Sequence, residues 1–185
     1  MNIPKISNKV FEGILFEVYQ WKQMMFDNSE RMFEMIKRKP AVSIICMTDD
    51  KIMIFMQEQP NRLPYQSLIG GIIEEGETPL DAAKREMLEE TGYTSDNIEI
   101  ICETFGGSKI YFPEYVFFAR NCKKISEPKL DSGEKGSIRF ISYDEFIELC
   151  RDENFSVPFK LRFMMYEFFI DKFKKDEFRK KIFGY

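Results

Sequence analysis

The chain has 185 residues and a net charge of −4, with 44% hydrophobic and 31% charged residues. This length and composition are typical of one globular domain with a sizeable core. The acidic balance argues against nucleic-acid binding through bulk positive charge. The chain has no histidine, which excludes Ser-His-Asp and Cys-His nucleophile systems and His-ligated zinc. Any acid–base chemistry must therefore use carboxylates, Lys, Tyr, Cys or metal-bound water.

The four cysteines and the hydropathy pattern bear on the compartment. Cys46, Cys102, Cys122 and Cys150 form no C-x-x-C pair, so a structural zinc site is not expected. We expect reduced, buried thiols, as in cytoplasmic proteins. The first residues lack the apolar core of a signal peptide, and no stretch approaches about 18 uninterrupted apolar residues. Neither nucleic acid nor membrane is therefore an expected partner.

The first half of the chain reads as strands. Residues 13–21 are rich in β-branched and aromatic types, and residues 32–36 are placed to pair back across a turn at residues 27–29. Residues 41–47 form an apolar run typical of a buried strand. Asp49 and Asp50 then predict a tight turn into a second strand over residues 51–56.

A loop over residues 60–76 is expected to precede a helix. Thr78 is a good N-cap, Pro79 suits the first helical position, and Gly92 is a natural stop. Three further strands and a short helix are predicted, over residues 98–105, 110–119, 137–141 and 143–150.

The C-terminal segment predicts one long amphipathic helix. Its apolar residues recur at a spacing of three and four, which places them on one face. We expect this face to pack on the core. A dimer contact and a membrane-surface helix are the two alternatives. The stripe consists of Phe159, Phe163, Tyr166, Ile170 and Phe173.

The acidity of the chain is concentrated in residues 71–92, which hold seven acidic and two basic residues. Glu86, Glu89 and Glu90 lie three and four positions apart, so all three can share one helix face. Carboxylate oxygens are ligands that Mg²⁺ prefers, and Gly70 and Gly71 let backbone approach a metal or a phosphate. The residues alone predict a cation site open to an anionic substrate. A solvated acidic helix face is the alternative.

The string GGIIEEGETPLDAAKREMLEETGY resembles the Nudix box, G-x5-E-x7-R-E-U-x-E-E-x-G-U, where U is a bulky apolar residue. Gly71 opens the box and Glu77 follows it. Arg85 and Glu86 come next with apolar Met87 behind them. Every other defined position matches too: Glu89, Glu90, Gly92 and apolar Tyr93.

The resemblance implies roles for these residues. Glu86 and Glu90 would be the main ligands of Mg²⁺ or Mn²⁺, with Glu89 and the carbonyl of Gly70 in support. Glu89, Glu90 and a glutamate of a later loop, Glu134, are the catalytic candidates, and Glu134 is the candidate general base. Its alternative is an ordinary polar turn residue. The remaining box residues would be structural: Gly71 and Gly92 in the backbone, and Arg85 and Glu77 as an ion pair.

The family's fold is an α+β fold, an α/β/α sandwich with a mixed sheet between helices. We expect an N-terminal strand extension over residues 1–40 that belongs to the same domain and contacts a second copy in a homodimer. The catalytic core would span residues 41–157, and the C-terminal helix residues 158–185.

The N-terminal strands are similar to those of the ADP-ribose and nucleoside diphosphate sugar pyrophosphatases. The sequence around Arg62 loosely resembles a substrate-binding segment of that branch, although a surface arginine is the alternative. Two motifs of the branch are missing, near residues 67–71 and 105–108. We expect Mg²⁺-dependent hydrolysis of ADP-ribose or a related nucleotide sugar. The alternatives are a triphosphate or dinucleoside polyphosphate hydrolase, and a nucleotide-sensing domain without activity.

Overall fold

The computed structural model describes residues 3–60, 62–130, 133 and 135–184. The helices are α1 (Pro79–Thr91), α2 (Tyr143–Glu148), α3 (Phe159–Ile170) and α4 (Lys172–Phe183), with a short 3-10 turn at Leu149–Arg151. The strands are β1 (Asn8–Glu12), β2 (Phe16–Met24), β3 (Glu30–Arg38), β4 (Ala41–Thr48), β5 (Lys51–Gln59), β6 (Arg62–Ser67), β7 (Tyr93–Thr94), β8 (Asn97–Thr104), β9 (Ile110–Tyr111), β10 (Glu114–Arg120), β11 (Lys123–Lys124), β12 (Lys135–Ile141) and β13 (Phe155–Ser156).

The strands of this described part form three sheets. The central sheet has the order β13-β6-β5-β4-β10-β8, and β12 also pairs with β5. It is mixed, because β4 and β10 are parallel whereas β5 is antiparallel to β4, β6 and β12. A second sheet has the order β1-β2-β3-β9, and β7 pairs with β11 in a third.

Side chains of the central sheet alternate between two hydrophobic layers. Ile44 and Cys46 of β4 belong to the layer that contains α1. Ile45 and Met47 belong to the layer that contains α2, α3 and α4. This alternation follows from the two-residue period of a strand. The sheet is thus covered by helices on both faces, and the predicted α/β/α sandwich is confirmed.

One predicted loop contains a strand. Residues 60–76 were expected to be irregular, but β6 pairs with β5 from Gln59↔Arg62 to Phe55↔Ser67. Its sequence has few β-branched residues and includes Pro64, so propensity does not reveal it. Its pairing partner in the tertiary structure decides the conformation.

The strand predicted over residues 110–119 is two strands. β9 pairs with β3 and β10 pairs with β4, so the chain changes sheet between them. Phe112 and Pro113 lie at the change, and proline cannot donate a hydrogen bond to a ladder. This break brings the end of one sheet beside the central one.

The C-terminal segment forms two helices where one was predicted. Asp171 ends α3 with an extended backbone, and its side chain accepts a hydrogen bond from the Lys174 N–H at 3.1 Å as the N-cap of α4. The face expected to pack on the core is also wrong, because Leu161, Met165 and Phe168 are the buried residues of α3. The whole predicted stripe is exposed: Phe159, Phe163, Tyr166, Ile170 and Phe173. Of the helices described, none is long and apolar enough to cross a bilayer.

Candidate active site

Helix α1 is fixed at both ends by its own sequence. The Thr78 hydroxyl accepts a hydrogen bond from the Asp81 N–H, and Pro79 opens the helix. Gly92 ends it with φ of 74° and donates its N–H to the Leu88 carbonyl at 2.8 Å. A residue with a side chain adopts this φ at a cost. The caps therefore fix where α1 begins and ends, and with that the places of Glu86, Glu89 and Glu90 along the helix.

The loop before α1 lies directly against β4. Gly70 has φ of 149°, and a Cβ there would lie 2.1 Å from the Val42 carbonyl oxygen. The Val42 N–H donates to the Gly71 carbonyl at 2.9 Å. A Cβ on Gly71 would lie 2.4 Å from Oε1 of Glu86. The two glycines thus bring backbone within contact of the sheet and of the acidic helix.

Glu90 connects the helix to this loop. Its side chain is buried, with 8% of the residue exposed. Its Oε2 accepts a hydrogen bond from the Gly70 N–H at 2.8 Å. A carboxylate inside protein is costly unless hydrogen bonds or charges compensate for lost hydration. This contact orients Glu90 toward the loop backbone.

Arg85 holds the acidic residues around it. It binds Glu77 through two hydrogen bonds, from Nε at 2.7 Å and from Nη2 at 3.0 Å. Its Nη2 also donates to the Ile72 carbonyl at 2.9 Å. Its Nη1 donates to Glu86 at 2.7 Å and to Glu89 at 3.0 Å. The predicted partners Arg85 and Glu77 are therefore brought together, and they tie the loop to the helix.

These contacts shift the protonation equilibria of both partners. The Arg85 guanidinium lowers the pKa of the Glu77 carboxyl to about 2, with help from the Glu74 N–H. The hydrogen bond to Glu77 in turn raises the pKa of Arg85. Glu77 is consequently a carboxylate throughout the neutral range.

The donor set of this helix fits a hard divalent cation. Glu86, Glu89 and Glu90 supply carboxylate oxygens, and Gly70 supplies a carbonyl beside them. Among the residues described, the acidic side chains are not gathered around a single point, since Arg85 binds Glu86 and Glu89 while Glu90 binds Gly70. A cation would compete with Arg85 for two of these carboxylates.

The acidic helix forms one wall of a cavity of about 530 Å³, within the usual size range of small-molecule sites. Arg62 lies on another wall, its guanidinium 3.3 Å from the centre of the Tyr65 ring. Besides Arg85 on the acidic helix, the lining combines negative groups with three cationic side chains, Arg38, Arg62 and Lys129. The cavity therefore suits a ligand that carries both anionic and neutral polar groups.

The predicted site residues are distributed as follows. Gly70, Gly71, Arg85 and Arg62 line the cavity together with the three glutamates of α1. Glu77 binds Arg85 from the loop, and Gly92 caps the helix. Glu134 lies outside the described residues. Among the aromatic residues, Tyr65 lines the cavity, whereas Trp21 packs against Phe33 and Phe26 is exposed.

Sequence reasoning did not find three lining residues, Arg38, Phe112 and Glu114. Arg38 ends β3, Phe112 lies in the link between β9 and β10, and Glu114 begins β10. Their proximity depends on a parallel pairing between strands that are distant in sequence. The one available signal was the charge of Glu114 at the start of an otherwise apolar run, EYVFFA.

Comparisons with known proteins agree with this geometry. A NUDIX domain model matches residues 37–163. An ADP-ribose pyrophosphatase of Bacillus subtilis (strain 168) is 25% identical over 148 residues, covering 77% of this chain and 80% of the relative. A methanol dehydrogenase activator of Bacillus methanolicus is 26% identical over 125 residues, covering 65% of this chain and 67% of that protein.

A solved structure shares the fold. The crystal structure described as an ADP compounds hydrolase has a TM-score of 0.72 at 19% identity, and the match covers 94% of each chain. The family match covers well over half of this chain and includes the glycine loop, the acidic helix and the central sheet. The chain therefore belongs to the Nudix family and is a hydrolase.

Proposed function

We propose that this hydrolase cleaves the pyrophosphate bond of ADP-ribose or a related nucleoside diphosphate sugar with Mg²⁺ or Mn²⁺ as cofactor. One water molecule adds across the anhydride. Its oxygen bonds to one phosphorus, the bond from that phosphorus to the bridging oxygen breaks, and the water proton passes to a base. The products are a nucleoside monophosphate and a sugar phosphate.

The observation that carries this proposal is the position of the three glutamates of α1. All three line one cavity, in which Glu90 binds the Gly70 N–H and Glu86 lies beside Gly71. The other walls of the cavity contribute Arg62, Arg38 and Lys129. Carboxylates at one end favour a cation, and basic side chains favour phosphate. A diphosphate bound together with a divalent cation would match both sets of charges.

The names of the relatives support the choice of substrate class. The matched Bacillus subtilis protein is an ADP-ribose pyrophosphatase, and the superposed structure is described as an ADP compounds hydrolase. Both names point to an adenosine diphosphate unit. At identities of 25% and 19%, a product screen identifies the group that is attached to the adenosine diphosphate unit.

In this proposal Glu86 and Glu90 are the main cation ligands, with Glu89 and the Gly70 carbonyl in support. A bound Mg²⁺ neutralises charge on phosphate oxygens and helps to ionise water. Glu90 stays oriented by the Gly70 N–H. The ion pair of Arg85 with Glu77 keeps the glycine loop and α1 in a fixed relation.

Two further residues complete the assignment. Glu134 is the proposed general base, because it belongs to an acidic loop between Leu130, which lines the cavity, and strand β12. A positioned base contributes about 10²- to 10⁴-fold to the rate. Arg62 is proposed to bind a phosphate or the base of the substrate, from its place on the cavity wall.

A product screen tests the substrate class. The panel holds ADP-ribose, UDP- and GDP-sugars, diadenosine polyphosphates and nucleoside triphosphates, each with Mg²⁺ and with Mn²⁺. We expect AMP from ADP-ribose, abolished by EDTA. Cleavage confined to triphosphates or dinucleoside polyphosphates would instead show that the enzyme hydrolyses that class of substrate. Nucleotide binding without turnover of any compound would favour a sensing domain.

Replacing one ligand tests the cation site. The Glu90→Gln variant keeps the size of the side chain but removes a charged ligand, so we expect kcat to fall by roughly 100-fold or more. The matched control is Glu75→Gln, an exposed glutamate of the same loop and helix segment, which should keep wild-type kcat. Near-normal turnover of Glu90→Gln would disprove the assignment of Glu90 as a ligand.

A further inference from the structure

Three residues meet where the two larger sheets adjoin. β3 and β9 are parallel, with Ile36 opposite Ile110 and Lys37 opposite Tyr111. The next positions in this register are Arg38 and Phe112. After Pro113 the chain joins the central sheet, where Glu114 lies opposite Ala41. The topology therefore sets Arg38 beside Phe112 and Glu114, and all three line the cavity.

Arg38 is held by stacking rather than by polar contacts. Its guanidinium carbon lies 4.1 Å from the centre of the Phe112 ring. In the described part of the chain its buried Nε–H finds no hydrogen-bond partner. A buried N–H without an acceptor is energetically unfavourable. The protein thus keeps at this cavity a guanidinium whose Nε–H is unsatisfied.

Glu114 is a partly buried carboxyl on the same wall. The Thr104 hydroxyl donates a hydrogen bond to its Oε2 at 3.2 Å. The pKa of Glu114 is raised, because the effect of burial outweighs the lowering by that hydrogen bond and by the charge of Arg38. No ion pair joins Arg38 to Glu114 within the residues described. A donor group and an acceptor group therefore lie on the same wall of the cavity without forming an ion pair with each other.

We propose that Arg38 and Glu114 read the edge of an adenine base, which rests on the proposed function and specifies its substrate. Adenine presents the acceptor N7 next to the amino group at C6. Arg38 would donate to the ring nitrogen and Glu114 would accept from the amino group. A phosphate does not suit this pair, because the Glu114 carboxylate repels it.

The distance from the cation site is compatible with one nucleotide. Glu114 lies opposite Ala41, and the next residue, Val42, bonds to Gly71 beside the acidic helix. Residues along a strand are about 3.3 Å apart and neighbouring strands about 4.8 Å apart. The base-reading pair is therefore on the order of 10 Å from the glycine loop, about the span from a nucleotide's phosphate to its base.

The test compares AMP and IMP binding by calorimetry in EDTA, so that neither turnover nor a cation is required. IMP carries an acceptor oxygen where AMP carries the amino group, so it would face the Glu114 carboxylate unfavourably. A matched pair of hydrogen bonds to a base edge is worth about 1–3 kcal/mol of discrimination, or roughly 5- to 150-fold. We expect AMP to bind more tightly than IMP by a factor in this range.

Glu114→Gln is the diagnostic variant. Its amide keeps the size of the side chain and can donate to the IMP oxygen, so the preference for AMP should largely disappear. The control Glu103→Gln changes an exposed glutamate of the neighbouring strand β8 and should keep the wild-type ratio. Arg38→Lys should weaken AMP binding, because lysine lacks the planar guanidinium that stacks on Phe112.

The outcomes separate this inference from the proposed function. Equal affinity of the wild type for AMP and IMP, or an unchanged ratio in Glu114→Gln, overturns the base-reading pair even if ADP-ribose is cleaved. Discrimination between AMP and IMP that Glu114→Gln abolishes supports the pair, even if ADP-ribose is not cleaved and the proposed function fails.

Discussion

Arg85 organises the acidic residues of the site through a single guanidinium. It binds Glu77 at two points and gives one nitrogen to Glu86 and Glu89. These contacts offset the repulsion among carboxylates on one helix face. A cation held by Glu86 and Glu89 would replace Arg85 in offsetting the repulsion between these two carboxylates. The contacts of Arg85 to Glu77 would still attach the loop to α1.

The Arg85–Glu77 pair predicts a defined dependence of stability on pH. The pKa of Glu77 is about 2 in the folded chain, against an ordinary value of 4.5. Because the folded pKa is the lower one, the carboxylate stabilises the fold fully above pH 4.5 and progressively less as the pH falls toward 2. The wild type should therefore lose its stability advantage over Glu77→Gln in this window.

Urea unfolding of both proteins at a series of pH values measures this advantage. The difference in free energy of unfolding should be constant from pH 6 to pH 8 and should shrink below about pH 4.5. Glu75→Gln, on the same loop but exposed, is the control for the loss of one glutamate charge and should be as stable as the wild type at pH 7. A gap between wild type and Glu77→Gln that persists unchanged to pH 3 would contradict the prediction.

Individual residues were predictable where local sequence determines their neighbours. The spacing of Glu86, Glu89 and Glu90 predicts their shared face, and the box predicts the Arg85–Glu77 pair that the structure contains. Arg38 and Glu114 were not predictable. They approach each other only because two strands far apart in sequence pair in parallel, and no local pattern encodes that pairing.

The C-terminal end of α1 also supports the segment that follows β11. The Gly92 carbonyl accepts hydrogen bonds from the N–H groups of Ile125 and Ser126, at 2.9 and 3.1 Å. The Lys129 N–H donates to the Glu89 carbonyl at 2.7 Å. The helix end therefore positions the chain that leads toward the loop containing Glu134.

Replacing the cap glycine should destabilise this element. Gly92 has φ of 74°, and a Cβ there would lie 2.1 Å from the Ser126 carbonyl oxygen. The left-handed backbone alone costs an ordinary residue about 1–2 kcal/mol, and the contact with Ser126 adds to it. We expect Gly92→Ala to lower the free energy of unfolding by more than about 2 kcal/mol.

Chemical denaturation of Gly92→Ala beside Gly107→Ala checks this expectation. A Cβ on Gly107 would meet no atom within 4 Å, so the control should remain close to the wild type. Equal stability of the two variants would contradict the prediction, because the backbone at Ser126 would then move aside without lowering the free energy of unfolding.

At the level of elements, the sequence predicted those that carry their own end signals. Thr78, Pro79 and Gly92 delimit α1 as expected. Two of the errors arose where one residue redirects the chain: Pro113 divides one predicted strand, and Asp171 divides one predicted helix. Asp171 acts as an N-cap within a run of residues whose apolar spacing predicts one continuous helix. The same apolar spacing also predicted the wrong buried face for α3.

Two apolar surfaces lie exposed in the part of the chain that the structure describes. One is the stripe on α3 that includes Phe163, which is 60% exposed. The other is on the N-terminal sheet, where all five residues of β1 are exposed. β1 is an edge strand of that sheet, in which Val10 and Phe11 are apolar, and an exposed edge strand is a ready template for pairing with another chain. The N-terminal sheet therefore has both features of an association surface.

We predict that the chain forms a homodimer through the N-terminal sheet. Phe11, 56% exposed, and Val10, 52% exposed, lie on β1 itself. A charge placed there would have to be buried unpaired in a dimer interface, so Phe11→Asp should shift the protein to monomer. Size-exclusion chromatography with light scattering measures the mass against the 22.0 kDa of one chain.

Phe163→Asp, which places the same charge on the α3 stripe, should leave the dimer intact. A monomeric wild type would disprove the prediction, and dissociation by Phe163→Asp alone would move the interface to α3.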